Sequence, residues 1–334
     1  MRVGRISLFA LGVACAPAAT PAPAPAPSAA PAPLSAPAAP GGPRRVAVTF
    51  DDLPAHGPTK SGETRLDVHR RIVETLAKHG VPGVYGFVNG AKAAEHADGR
   101  TVLEMWRDAG HPLGNHTFSH IDIGKVGAAA FIEEIDKNDA FLAELVGDDP
   151  AARRARRRFR YPYLRQGPDR ETLDTVRAHL AKSGYQLAEV TIDFGDWAYN
   201  PPYVRCSAQA AAPAIEALRW DFVHRGVQAL EWSEAAARSI YGEPVPHVLL
   251  LHSGSFDAEV LDELLTAYET AGATWITLDE ALAHPAYVED VRVPAKYGGT
   301  LLEQKIERDK PPHPPFALQP VGLLEQICRT REKN

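Results

Sequence analysis

The chain has 334 residues, 45% hydrophobic and 23% charged, which is ordinary globular sequence in a quantity that suits one large domain or two small ones. A formal net charge of −6 and a pI near 6.1 exclude a general attraction to nucleic acid or anionic lipid.

In chain order, the first feature is a targeting signal. Arg2 and Arg5 precede a short apolar run at residues 6–14, and Cys15 follows at once. A basic start and an apolar stretch of this length predict a secretory signal over residues 1–19, too short to span a bilayer as a helix. No later segment reaches spanning length, so no transmembrane helix is expected. Two endings stay open: a lipid anchor on Cys15, as in a bacterial lipoprotein, or ordinary cleavage near Ala19. Gly12 stands where a lipoprotein signal usually carries an aliphatic residue. Residues 20–43 are mostly Ala and Pro and predict an extended, semi-rigid linker.

From residue 44 onward, short β-rich runs alternate with amphipathic helices. Residues 46–50, Val-Ala-Val-Thr-Phe, predict the first strand. Leu66, Ile72, Val73 and Leu76 share a helical face, and Gly80 is placed to end that helix. Residues 84–88 predict the second strand, 101–109 the next helix, stopped by Gly110, and 112–115 a short third strand. A long helix runs through Phe131, Ile135, Leu142 and Leu145. Arg153, Arg154, Arg156, Arg157 and Arg158 read as a solvated turn. Further strands are expected at 159–161, 186–192, 248–251 and 274–277, with helices at 171–182 and 258–271.

This alternation predicts an α/β fold with a parallel sheet and helices packed outside it. Seven such units without a dinucleotide fingerprint favour a distorted, closed or nearly closed (β/α) barrel of the TIM-like kind. The domain is placed at 44–284, with an Ala-rich helical insertion at 199–245 and a Pro-rich, charged C-terminal extension at 285–334. Trp220, Phe222 and Trp232 read as the insertion's own core. Cys206 and Cys328 could pair in an oxidising compartment or stay two isolated thiols, the reading slightly favoured here, since sequence cannot supply bridging geometry.

The polar clusters Asp51-Asp52, His116 to His120, Tyr163, Asp193 to Asp196 and His252 each fall just past a predicted strand. Loops at that end of a (β/α) barrel converge on its axis, which is where active sites gather. Adjacent carboxylates repel unless a cation or a proton lies between them. His116 and His120, four apart on a helical turn, would place both imidazoles on one face with Cβ atoms roughly 5–6 Å apart. Both could then reach one zinc ion at about 2.0–2.1 Å. An Asp from another strand end completes a His₂Asp set that leaves coordination positions open.

Thr49-Phe50-Asp51-Asp52, His116-Thr117-Phe118-Ser119-His120, Arg160-Tyr161-Pro162-Tyr163, Asp193-Phe194-Gly195-Asp196-Trp197 and Leu249-Leu250-Leu251-His252 resemble, in order, the five motifs of the polysaccharide deacetylase family. These are the NodB-homology carbohydrate esterases. Phe87-Val88-Asn89-Gly90 is similar to the family's second-strand signature, and the resemblance covers roughly residues 44–284. It implies a divalent metal, usually zinc, held by Asp52, His116 and His120. It implies Asp51 as general base, oriented by Arg160, and His252 as general acid, tuned by Asp196. The backbone N–H of Tyr163 would help hold an oxyanion, while Trp197 and Leu250 would wall an acetyl pocket. Leu53 stands where the family commonly has Gly, and Tyr161 where Pro is usual; both departures bear on substrate shape.

The expected function is removal of N-acetyl groups from an amino-sugar polymer of the cell envelope, peptidoglycan or chitin-like. An acetylated glycan is then the partner, and no nucleic acid is involved. O-acetyl ester hydrolysis, another C–N amide hydrolysis on the same scaffold, and glycan binding without turnover are the alternatives. No separate carbohydrate-binding module is visible, and the sequence says nothing about oligomeric state.

Overall fold

A computed structural model describes residues 44–316 and 319–329. The signal and linker assigned to residues 1–43, with Cys15, lie outside the described residues.

The chain begins with strand β1 (Arg44–Leu53), helix α1 (Arg65–Lys78) and strand β2 (Tyr85–Val88). Helices α2 (Gly90–Glu95) and α3 (Gly99–Asp108) lead to β3 (Leu113–Asn115). Next come α4 (Ile123–Val146), interrupted at Gly127, then α5 (Pro150–Arg156) and β4 (Arg158–Phe159). Helix α6 (Arg170–Lys182) precedes β5 (Gln186–Leu187), and the predicted insertion forms α7 (Asn200–Ala208) and α8 (Ala212–Tyr241). Strand β6 (His247–His252), α9 (Ser255–Thr270), β7 (Ala273–Trp275) and α10 (Leu278–Leu282) follow. Helices α11 (Pro285–Val288), α12 (Leu301–Asp309) and α13 (Val321–Leu324) lie in the C-terminal extension.

The strands form one seven-stranded sheet in the order β5-β4-β3-β2-β1-β6, with β7 paired to the start of β1. Every pairing is parallel. The extended run that continues from β5 then bridges to β6, Ile192 opposite Leu249, so the sheet rolls back toward its other edge. This is the distorted (β/α) barrel expected from the alternating pattern. Strand β1 lies between β2 and β6 and is buried from Val46 to its end, one face toward the barrel interior and the other under helices. Its register against β6 sets Asp51 directly opposite His252.

Helix α1 starts at a capping box, in which Thr64 and Asp67 satisfy each other's backbone donors. It buries Val68, Ile72 and Leu76. Helix α8 buries Leu218, Phe222 and Leu230 against the same core. Trp220 departs from its expected core role: its ring is 52% exposed and stacks on His224. Residues beyond 284 also pack onto the domain, burying Leu301, Leu302, Ile306 and Leu324.

One open alternative is settled and one expectation is overturned. Cys206 and Cys328 form a disulfide, with Cα atoms 5.3 Å apart, against the slightly favoured reading as isolated thiols. Helix α7 binds the tail beside this bridge: Arg205 donates to the carbonyls of Leu324 and Ile327, and Gln209 to that of Cys328. A separation of 122 residues hides this pairing from any local reading. The arginine run is likewise no solvated turn. Its first part lies on α5, where Arg156 is 4% exposed and ion-paired with Asp139 and Asp148, while Arg157 also reaches Asp139. Among the described residues, no helix is long and apolar enough to cross a membrane.

Candidate active site

Neighbouring side chains on a regular strand point to opposite faces. Asp51 and Asp52 escape this rule because the β1–β2 register shifts between Phe50 and Leu53, and Asp52 takes a left-handed conformation with φ 70°. Aspartate tolerates that region better than most residues. Both carboxylates therefore approach His116, whose Nε2 lies 3.7 Å from Asp51 Oδ2 and 3.6 Å from Asp52 Oδ1. They sit within β1, slightly earlier than the sequence predicts.

The two histidines converge by a different route from the one expected. Residues 116–120 form a loop, and Thr117 (φ 62°) and His120 (φ 54°) are left-handed. Asn89 Nδ2 donates to the carbonyls of His116 and Thr117, and Asn115 Oδ1 accepts from the Thr117 N–H. The second-strand signature thus plays a structural part, since its Asn89 holds the histidine loop in shape. His116 Nδ1 donates to the Arg160 carbonyl at 2.9 Å, which turns Nε2 toward the carboxylates. His120 Nε2 lies 3.0 Å from Asp52 Oδ1.

Asp52 Oδ1 is buried and has no hydrogen-bond partner among the described residues, although two imidazole nitrogens face it. Burial pushes both His116 and His120 down to about 3, so neither ring carries a proton that would repel a cation. Burial would raise the Asp52 carboxyl, but Lys92, His120 and His56 outweigh it and hold it well below the usual range. One ionised carboxylate and two neutral imidazoles converging on a buried, unpartnered oxygen fit a divalent cation.

Asp51 Oδ1 accepts from Arg160 Nη1 at 2.8 Å. The buried guanidinium also donates to Thr49 Oγ1 and the Ala188 carbonyl, and it lies over the Phe87 ring. Burial raises the Asp51 carboxyl above its ordinary value, even against the opposing pull of Arg160. On the other side, His252 Nδ1 lies 3.0 Å from Asp196 Oδ1, and its backbone N–H donates to Asp196 Oδ2 at 2.6 Å. Burial opposes a charge on His252, but Asp196 outweighs it and the ring is pushed up to about 9.

Seven sequence-derived residues are therefore brought together: Asp51, Asp52, His116, His120, Arg160, Asp196 and His252. Tyr163 stands beside them, left-handed at φ 58° in a 3₁₀ turn and 51% exposed, with its ring 4.5 Å from that of His120. Trp197 is 39% exposed, whereas Leu250 is almost fully buried on β6 opposite Thr49.

Three neighbours escape the sequence reading. His56 Nδ1 and Lys92 Nζ approach Asp52 Oδ2 at 3.0 and 3.2 Å. Asp257, in the first turn of α9, is buried and pushed well above the usual range by burial and by Asp196. Leu53-Pro54, in place of the common Gly, is the one signal that the loop carrying His56 differs. Lys92 and Asp257 carry no such mark.

A parallel barrel in which Asp52, His116 and His120 could hold a metal ion, beside an arginine-held carboxylate and a carboxylate-held histidine, has the arrangement of a hydrolase scaffold. Residues 38–210, more than half of the sequence, match the model of the polysaccharide deacetylase family, and the chain belongs to that family. It is 29% identical to a chitin deacetylase of Arthroderma benhamiae, over 47% of this chain and 36% of that protein. It is 24% identical to a peptidoglycan-N-acetylglucosamine deacetylase of Bacillus cereus, over 70% of this chain and 66% of that protein. The match thus spans about a third to two thirds of the length of these curated relatives. A solved polysaccharide deacetylase from Bacillus cereus is similar at 19% identity and a TM-score of 0.49, covering 70% of this chain and 91% of that one.

Proposed function

We propose that this chain is a metal-dependent deacetylase that hydrolyses N-acetyl groups of an exported amino-sugar polymer or oligomer, peptidoglycan or chitin-like. The observation that carries the reading is the β1–β6 register, which sets Asp51 opposite His252 beside the unpartnered Asp52 Oδ1. The names of the relatives support the substrate class. Asp52, His116 and His120 would hold the ion, and this donor set suits zinc. A divalent ion there supplies Lewis acidity, polarising a carbonyl and easing the deprotonation of water.

The remaining chemistry belongs to the chain's own groups. Asp51 Oδ1 is fixed by Arg160, so Oδ2 is the atom that accepts the proton of the attacking water. A carboxyl raised by burial accepts that proton more readily than an exposed one. The water oxygen bonds to the acetyl carbon, and the carbon–nitrogen bond then breaks. His252 is protonated at neutral pH and donates from Nε2 to the departing nitrogen, leaving acetate and a free amine. Asp196 keeps the ring oriented and charged. By the family resemblance, the Tyr163 N–H would help hold the developing oxyanion, and Trp197 and Leu250 would wall the acetyl pocket.

The N-terminal pattern supports export to the periplasm or cell envelope, with Cys15 as the candidate lipid anchor. The test is acetate release from chitooligosaccharides, peptidoglycan and acetylxylan, with bound metal measured in parallel. The parent should release acetate from the N-acetylated substrates. Asp51→Asn should keep its metal and lose about 10²–10⁴-fold in turnover. Metal-loaded parent that releases no acetate from any of them would leave another C–N amide hydrolysis or glycan binding without turnover.

A further inference from the structure

We propose that His56 accepts a hydrogen bond from the N–H of the scissile acetamido group, which makes the site select N-acetyl over O-acetyl substrates. This rests on the deacetylase reading above and names a specificity residue for it.

His56 sits on a loop that is held from several sides. The Ala55 N–H donates to the Asp52 carbonyl at 2.9 Å, and Arg65 donates to the carbonyls of His56 and Gly57. Asn200, at the start of α7, donates to the Pro58 carbonyl at 2.9 Å. Gly57 is left-handed at φ 55°, and a Cβ there would fall 2.7 Å from Asn200 Nδ2, so the close approach needs glycine. These ties fix the ring that follows Asp52 by four residues.

The ring repeats the arrangement of the proposed acid. Nδ1 of His56 lies 3.0 Å from Asp52, as Nδ1 of His252 lies 3.0 Å from Asp196. The two rings are neighbours, with centroids 4.7 Å apart and planes tilted by 51°. A carboxylate can only accept, so the hydrogen on His56 belongs to Nδ1 and the lone pair to Nε2. Among the described residues no group bonds Nε2, and it is not one of the sealed, unpartnered atoms. Nε2 is therefore an accessible acceptor beside the donor that protonates the leaving group.

An acetamide nitrogen carries one hydrogen and, as its carbon–nitrogen bond breaks, a lone pair. His252 supplies a proton to the lone pair, and the N–H still needs an acceptor in a site where water is displaced. His56 Nε2 meets that need. The bridging oxygen of an acetyl ester has no hydrogen, so an ester gains nothing from His56. Lys92 cannot substitute, because an ammonium only donates and it already faces Asp52 Oδ2. The same ammonium, 3.2 Å from that oxygen, opposes a second cation among Asp52, His56 and His252, although their ligand atoms lie within 4.8 Å of one another.

The decisive variant is His56→Asn, whose side-chain amide can keep the Nδ1-like donor to Asp52 but has no acceptor at the Nε2 position. Its kcat/KM should be measured on N-acetylchitooligosaccharides and on O-acetylated xylooligosaccharides, together with metal content. The amide-to-ester ratio should fall by about 10- to 100-fold while the metal is retained. His56→Gln, which can present an acceptor near the Nε2 position, should recover part of that ratio and guards against misfolding of the first variant. A ratio unchanged in an active His56→Asn protein overturns the proposal, as does loss of the bound metal, which would make His56 a ligand. A parent inactive on both substrates overturns the deacetylase reading as well, so the two failures are told apart.

Discussion

Replacing Asp196 by Asn should move the alkaline limb of kcat/KM strongly toward acid. His252 must be protonated to act, and the neighbouring carboxylate lifts it from an ordinary 6.5 to about 9. Burial works in the opposite direction and only the lesser pulls of Asp52 and Asp51 remain, so without that charge the ring should titrate near its ordinary value. The shift is then roughly 2 pH units or more, on the order of 3 kcal/mol of lost ion-pair support. At pH 8 the active protonated fraction would fall from about 90% to a few per cent, roughly a 30-fold loss from ionisation alone. The acidic limb reflects Asp51, which touches Arg160 and not Asp196, and should stay nearly fixed. Asp257 complicates the single variant. Burial and then Asp196 push its carboxyl well above the usual range, and once Asp196 is neutral the second of these is gone, which eases ionisation of Asp257 and restoration of part of the charge. The double variant Asp196→Asn with Asp257→Asn should therefore show the full shift. The assay is acetate release from an N-acetylated oligomer between about pH 5 and 10, at fixed metal and ionic strength. An alkaline limb that stays in place in the double variant refutes the tuning. A limb that survives His252→Ala shows that the acid lies elsewhere.

Asp52→Ala and His116→Ala should each lose most of about one divalent ion per chain, because two remaining ligands hold a cation poorly. Elemental analysis that finds either variant as metal-loaded as the parent would displace the ligand set. Replacing Cys206 and Cys328 by Ser removes a cross-link that closes 122 residues, worth at most about 5 kcal/mol on chain entropy and more commonly about 2–4. A melting temperature lower by roughly 5–10 °C is expected by scanning calorimetry, and an unchanged one under oxidising conditions would mean the bridge does not form.

The barrel is legible in the sequence because its longer strands, β1, β2 and β6, are runs of buried residues followed by helices, and that pattern is local. Strand ends are not. Residues 186–192 predict one strand, yet only Gln186 and Leu187 pair with β4, and the chain then crosses to bridge β6 at Ile192. A hydrophobic run reports that a segment is buried and extended, not which neighbour it pairs with. The disulfide fails for the same reason, since its geometry comes from the packing of the tail on α7. The histidine pair is instructive in another way. The spacing points to the right residues for the wrong reason, because two left-handed residues and the Asn89 and Asn115 side chains do what a helical turn was expected to do.

The site's division of labour follows from which carboxylate oxygens are already committed. Asp51 gives Oδ1 to Arg160 and keeps Oδ2 toward His116, so one oxygen is structural and the other can take a proton. Asp52 gives Oδ2 to His56 and Lys92 and keeps Oδ1 toward His116 and His120, so its uncommitted oxygen can take a cation. Asp196 gives one oxygen to the His252 ring and the other to the His252 backbone, and is left to position and charge that ring. Each of the three has a cationic neighbour: Arg160, Lys92 and His252 respectively. Among the described residues neither oxygen of buried Asp257 has a hydrogen-bond partner, and burial with the Asp196 charge pushes its carboxyl well above the usual range. A motif names the residue types at these positions, but roles depend on how their lone pairs are shared. At Asp52 that sharing is set by His56 and Lys92, two neighbours no motif contains.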